Sequence, residues 1–387
     1  MKKKINVLIT SFSRSEFGLL YSIIKKINND DFFKLNLLIS GSHFEKNKGN
    51  TVDEVKNFGF DNYIKVKMNL TKDNKDYLSE SVGDLTIKLT KKIKKVNPFL
   101  IICMGDRYEL LALGTVSTIL NIPLAHISGG EITEGAIDDQ IRHAITKLSH
   151  IHFVANKNYK KNLIQMGEEN WRICISGEPG LENLKLINKL NKKDILKKLR
   201  IKNLKNIIII TFHPVTLDAK NLDYQIKNLI KFIEKIENKN FIITGSNADH
   251  GGNFINKKFT SLSKNNKYVN FYYSLGSELY LNLLKYTELI IGNSSSGIVE
   301  APSYGVKVIN IGDRQKGRMQ SKNVFNCGYS YLSILKAYNN ANKLKIKDFK
   351  NPYYQKNSTN IIVNHLKKIF LNKNLKEILT KKFNVKK

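Results

Sequence analysis

Short apolar runs recur along this chain, each followed by a polar cluster and then by apolar residues spaced three and four apart. The runs at residues 5–10, 35–40, 99–104, 122–126, 151–155 and 172–176 are predicted strands. Leu100-Ile101-Ile102-Cys103-Met104 contains no charged position, as expected of a strand covered on both faces. Residues 11–16 are predicted as a turn into a helix that runs to about residue 28, and further helices are predicted over residues 51–58, 84–96, 109–120 and 136–149, with another ending near residue 166. This alternation, with polar clusters at the strand ends, predicts a doubly wound parallel sheet. Gly177-Glu178-Pro179-Gly180 breaks the rhythm and marks a domain boundary. The alternation then restarts, with strands near 206–211, 241–244, 268–273, 289–292 and 306–311 and helices at 222–237 and 277–286. Beyond residue 318 little pattern precedes a helix at 360–371. The predicted domains are residues 1–176 and 177–373, the last helix being a candidate to pack back on the first, with a frayed basic tail at 374–387. Two such domains with facing sheet ends would hold a ligand in the cleft between them.

Composition narrows this picture. The 387 residues are enough for two cores, and 41% hydrophobic content with six prolines suits a compact α/β protein. A net charge of +31 invites a nucleic-acid reading, but the lysines are scattered among Asn and Ile, with no arginine-rich tract or basic-aromatic module. The charge therefore reads as a lysine-biased surface with some attraction for anionic substrates, and no nucleic-acid partner is expected. Three cysteines without CxxC spacing suit a reducing compartment and build no zinc site. Met1-Lys2-Lys3-Lys4 imitates the start of a signal peptide, yet the apolar run after it is too short and Arg14 and Glu16 follow at once. A cytoplasmic protein with no membrane partner is expected.

The polar clusters carry the candidate chemistry. In Gly292-Asn293-Ser294-Ser295-Ser296-Gly297 small residues let a ligand approach the main chain, and a helix start would point N–H groups at it. Glu300, one turn on, suits the hydroxyls of a ribose or a bond back to the first N–H groups. Arg14 at the end of the first strand and Arg314 at the matching end of the second domain are placed to offset a diphosphate from two sides. His213, at a strand end before Pro214, suits phosphate or hydroxyl contact. Asp106-Arg107 follows a buried strand and reads either as a cap paired to Glu109 or as a carboxylate and cation in the cleft. Glu131, after Gly129-Gly130, stands on the adjacent turn. Asp138 and Arg142 have the i,i+4 spacing of a helix ion pair, worth about a few tenths of a kcal/mol, or of a cleft pair. His126 and His143 read as structural or as supports behind the residues that touch a ligand. No P-loop, GxGxxG, HExxH or GxSxG pattern is present, so no metal and no cofactor are expected.

Taken together, Gly105-Asp106-Arg107-Tyr108-Glu109, His126-Ile127-Ser128-Gly129-Gly130-Glu131, Ile141-Arg142-His143-Ala144-Ile145-Thr146-Lys147, Phe212-His213-Pro214, Gly245-Ser246-Asn247-Ala248-Asp249, the serine loop and Ile311-Gly312-Asp313-Arg314-Gln315-Lys316-Gly317-Arg318 resemble the hydrolysing UDP-N-acetylglucosamine 2-epimerases. The sialic-acid branch of bacteria is the nearest likeness, and it runs from about residue 4 to residue 318. The resemblance implies a GT-B arrangement of two Rossmann-like domains and conversion of UDP-N-acetylglucosamine to N-acetylmannosamine plus UDP. It implies that Arg14, His213, Ser294, Ser295, Glu300 and Arg314 hold the nucleotide, and Ser296 and Gly297 of the same loop are candidates beside them. Asp106, Arg107, Glu131 and Asp138, with His213, are the implied catalytic set. Many relatives carry a glutamate where this chain has Ser128, which leaves Asp106 or Glu131 as the expected C2 base. A homodimer or homotetramer is expected. The sibling activity on UDP-2,4-diacetamido-2,4,6-trideoxyglucose, in legionaminic acid synthesis, would use the same fold. A GT-B glycosyltransferase would leave C2 untouched, and a polyanion-binding protein would ignore UDP.

Overall fold

The computed structural model describes residues 4–45, 51–70, 75–215, 221–247, 250–345 and 348–384. The chain forms two compact units, Met1–Glu131 with Asp138–Leu186 and Tyr353–Lys387, and Ile132–Ile137 with Ile187–Pro352.

The first unit is built on β1 (Ile5–Ser11), β2 (Phe33–Ile39), β3 (Ile64–Lys65), β4 (Leu100–Met104), β5 (Leu124–Ile127), β6 (Ile151–Val154) and β7 (Ile173–Ile175). Their order is β3-β2-β1-β4-β5-β6-β7, and every neighbouring pair is parallel. Strands β4, β5 and β6 are buried at every position, which is why they read as unbroken apolar runs. Val7, Ile9, Leu100, Ile102 and Ile127 share one core with Phe17, Leu20 and Ile24 of the helix Arg14–Asn28. The strand order reverses between β1 and β4, so the loops after these two strands flank the crevice where α/β sheets take ligands.

The second unit repeats the plan with β8 (Ile207–Thr211), β9 (Asn240–Thr244), β10 (Val269–Tyr272), β11 (Thr287–Gly292), β12 (Lys307–Ile311) and β13 (Val324–Cys327). The order β10-β9-β8-β11-β12-β13 is again parallel throughout and places its reversal between β8 and β11.

Four expectations differ from the structure, while the last helix packs back on the first unit as expected. The boundary at 176/177 and the end at 373 do not match the compact units, because residues through Leu186 and from Tyr353 onward belong to the first. The helix Ser358–Asn372 explains the second difference: Ile362, Val363, Leu366 and Ile369 form one apolar stripe that joins the first core. The tail is not frayed through its described part. Leu375–Leu379 is a helix with a capping box at Asn374, Ile378 is buried, and Arg172 donates to the carbonyls of Ile378 (2.7 Å) and Thr380 (2.7 Å). Lys381 extends the contact to the buried Glu168 at 2.8 Å; residues 385–387 lie outside the described residues. The stretch beyond residue 318 holds β13 and a helix Tyr331–Lys343, whose buried Ile334, Ala337, Tyr338 and Ala341 keep helical spacing with small residues. The helix expected at 84–96 begins at Lys75, because its first half buries Ser81 rather than an apolar stripe.

Candidate active site

In the first unit the polar residues gather at the carboxyl edge of the sheet. The helix Glu109–Ile119 has Tyr108 as its cap, with no side-chain bond, so Asp106 does not cap it. Asp106 is instead ion-paired to Arg142, which lies 36 residues away on the helix Asp138–Leu148. Arg142 is fully buried, donates to the carbonyl of Glu131 (2.9 Å) and stands 3.7 Å from Asp139. A buried guanidinium thus ties the end of β4 to the glycine turn after β5. The Asp106 side chain keeps 24% of its surface exposed, enough to meet a ligand, while Glu131 is buried.

Arg107 follows the plainer of its two readings. It grips Glu109 with two hydrogen bonds, 3.0 and 2.7 Å, and Glu109 is fully buried. Asp138 opens its helix as a first-turn acid. His126 is held inside the fold: its ring nitrogens meet the Gly105 carbonyl (2.7 Å) and Thr146 (3.2 Å), and burial pushes its pKa down to about 3. His143 is partly exposed and lies 3.5 Å from Asp139.

Arg14 begins the first helix behind its Ser13 cap. Two neighbours at the β1 and β2 ends carry more structure than the sequence pattern indicates. His43 is fully buried, with Nε2 3.0 Å from Ser11 and Nδ1 3.2 Å from Thr51, and burial lowers it to about 4, so the ring is neutral. Residues 46–50 of its loop lie outside the described residues. Glu16 is buried and accepts from the Phe12 N–H at 2.7 Å. Burial raises its pKa to about 8, against the opposing Phe12 N–H and Arg107. Since the unfolded value is near 4.5, the folded state holds a proton that the unfolded chain releases between pH 4.5 and about 8. Stability should therefore fall as pH rises through that window. Glu16→Gln should flatten the fall and gain on the order of a few kcal/mol at pH 8.5 relative to the parent, read from denaturant unfolding at pH 5 and 8.5.

In the second unit the groups sit where β8 and β11 end. His213 and Asn293 lock the two strand ends: the His213 N–H donates to Asn293 Oδ1 (2.7 Å), and Asn293 Nδ2 donates to the His213 carbonyl (2.8 Å). The Asn247 N–H donates to His213 Nδ1 at 3.1 Å. Nδ1 is therefore an acceptor, so the neutral ring carries its proton on Nε2 and is a donor there. Ala248 and Asp249 of the same motif lie outside the described residues.

The serine loop differs from expectation in one respect. Its helix, Ser296–Val299, is a single turn, too short for a useful macrodipole, and the Gly297 N–H is taken by the Ser294 carbonyl at 3.2 Å. Ser294, Ser295 and Ser296 supply hydroxyls and close main chain rather than a helix end. The two glycines are set by packing: a Cβ on Gly292 (φ +139°) would lie 1.9 Å from the Thr211 carbonyl oxygen, and one on Gly297 would lie 2.8 Å from Val308. Glu300 bonds back to Ser296, which also lies 2.5 Å from the Tyr280 hydroxyl. Burial raises Glu300 to about 6, with Ser296 and Arg318 opposing. Arg314 and Gln315 both donate to the Asn293 carbonyl, at 3.2 and 2.9 Å, which sets the arginine beside the serine loop. Residues 132–137 belong to this unit, and the Glu134 N–H donates to Lys316 O at 3.1 Å.

Among the described residues no group of three His, Cys, Asp or Glu gathers as a metal site, and no helix is long and apolar enough to cross a membrane.

The family described as UDP-N-acetylglucosamine 2-epimerase matches residues 25–367. The GDP/UDP-N,N'-diacetylbacillosamine 2-epimerase (hydrolyzing) of Campylobacter jejuni is 38% identical over 348 residues, 90% of this chain and 89% of that one. The polysialic acid biosynthesis protein P7 of Escherichia coli is 32% identical over 379 residues, 97% and 96% of the two chains. In fold, the chain is similar to the Neisseria meningitidis UDP-GlcNAc 2-epimerase solved with UDP-GlcNAc, with a TM-score of 0.80, 20% identity, and coverage of 94% of this chain and 100% of that one. The GT-B class, with two Rossmann-like parallel-sheet domains, therefore stands.

Proposed function

Because the chain belongs to the UDP-N-acetylglucosamine 2-epimerase family, we propose that it is a hydrolysing 2-epimerase that releases UDP and a free 2-epimerised sugar from a UDP-2-acetamido sugar. The observation that carries this reading is the buried Arg142, which binds Asp106 and the Glu131 turn together at the sheet edge.

A proton on C2 of a sugar nucleotide is barely acidic, so a carboxylate alone removes it too slowly. Removal becomes accessible when the C1–O bond breaks in the same step and its electron pair leaves with UDP. Asp106 takes the C2 proton, and a 2-acetamidoglucal with a C1–C2 double bond remains. Water then adds at C1 and a proton at C2 from the opposite face, with Glu131 serving that half of the reaction. The sum is one UDP sugar and one water giving one 2-epimer and UDP. Arg314, Arg14, the His213 Nε2–H and the serine hydroxyls offset the charge on the leaving diphosphate. Glu300 takes the ribose hydroxyls.

The sugar proposed first is UDP-N,N'-diacetylbacillosamine, supported by the 38% identity to the Campylobacter jejuni enzyme. The second is UDP-N-acetylglucosamine, giving N-acetylmannosamine, favoured by the family description and the likeness to protein P7. Incubation with each sugar in deuterated water, followed by NMR of the products, decides between them. The expected result is UDP and a free 2-epimer carrying deuterium at C2. A product without deuterium at C2 would exclude this chemistry.

A further inference from the structure

We propose that Glu178 is a positioning residue for this reaction, acting through Ser128 on the glycine turn that presents Glu131. The proposal rests on the 2-epimerase reading and extends it to a residue outside the expected catalytic set.

The geometry begins with the turn. Ser128 follows β5 directly and adopts φ +65°, a left-handed conformation costing a residue with a Cβ about 1–2 kcal/mol. Gly129, Gly130 (φ +77°) and Glu131 follow. Strain of this kind persists only where surrounding bonds impose it, and it gathers at functional sites. Here the bonds are visible. The Ser128 N–H donates to Phe153 O (2.9 Å), Asn162 Nδ2 donates to Gly130 O (2.7 Å), and Arg142 donates to Glu131 O (2.9 Å). The side-chain bond at the strained residue itself comes from elsewhere: the Ser128 hydroxyl donates to Glu178 Oε2 at 2.7 Å, across 50 residues of sequence.

Glu178 is itself held in place. It is 4% exposed, its N–H donates to Tyr353 O (2.8 Å), and Leu181 N–H donates to its carbonyl (3.1 Å). Gly177 before it has φ +74°, and a Cβ there would lie 2.3 Å from Gln355. Glu178 lies beyond β7 and reaches the turn beyond β5, so its bond fixes the left-handed Ser128 and, through it, the turn on which Glu131 meets the substrate. Displacing a reacting group by about 1 Å can cost about 10²-fold in rate.

The test compares Ser128→Ala, Glu178→Ala and the double variant with the parent, on whichever UDP sugar the parent converts. The readouts are kcat, KM and the ratio of released 2-acetamidoglucal to finished 2-epimer. That ratio does not depend on how much enzyme is folded, so a merely structural role would leave it unmoved. Each single variant is expected to lose about tenfold in kcat with KM little changed, and to leak more glycal. The double variant should be no worse than the worse single one. The proposal is overturned if Ser128→Ala, which needs no refolding of the core, keeps both kcat and the glycal ratio within about twofold of the parent. Full additivity in the double variant overturns it as well. The underlying reading fails separately, if the parent itself yields no 2-epimer with deuterium at C2.

Discussion

Asp106→Asn is expected to lower kcat by about 10²–10⁴ while leaving the fold intact. The substitution keeps the shape and one oxygen able to accept from Arg142, so the guanidinium buried beside it is not stranded. What is lost is the charge and with it the ability to take a proton from C2. Steady-state UDP release and C2 deuterium exchange should fall together, because the proposed step joins elimination to proton loss. The melting temperature should move by no more than a few degrees. Asp106→Ala is the informative contrast: it leaves a buried cation without this partner, a change that typically costs about 3–5 kcal/mol. If Asp106→Asn keeps full turnover, the C2 base lies elsewhere and Glu131 becomes the first candidate.

Arg314→Ala is expected to cost about 10²–10³ in kcat, and Ser294→Ala combined with it more. Arg314 is fixed beside the serine loop through the Asn293 carbonyl, and the same asparagine locks His213 by two bonds. The groups proposed to hold the nucleotide in the second unit thus hang on one buried side chain at the switch between β8 and β11. Because charge grows on the diphosphate as the C1–O bond breaks, an arginine there acts more on the transition state than on the ground state. The split to look for is a fall in kcat larger than the rise in KM, with weaker product inhibition by UDP. Unchanged turnover in the double variant would remove the leaving-group argument altogether.

Much of the fold can be read directly from the chain. Runs such as Ile207-Ile208-Ile209-Ile210 or Leu100 to Met104 have one stable use, a strand covered on both faces, and polar clusters at their ends mark the ligand edge. Elements without that contrast escaped. The strand Val324–Cys327 is at a sheet edge and partly exposed, and the helix Tyr331–Lys343 hides its stripe behind alanines and asparagines. Glu178 was legible only as part of a Gly/Pro break, and nothing in its neighbours shows a partner 50 residues away.

Local pattern determined by itself which residues stand at the carboxyl ends of strands, because the period of apolar positions follows from backbone geometry alone. That placed Asp106, Glu131, His213 and the serine loop at the ligand edges. Partnership was decided only by the tertiary structure. Arg107 turned to Glu109, while Arg142 turned to Asp106 and to the Glu131 turn. The apolar stripe of Ser358–Asn372 returned to the first core. Each outcome depends on which buried charge or apolar face finds its complement in space, and sequence distance carries no record of that.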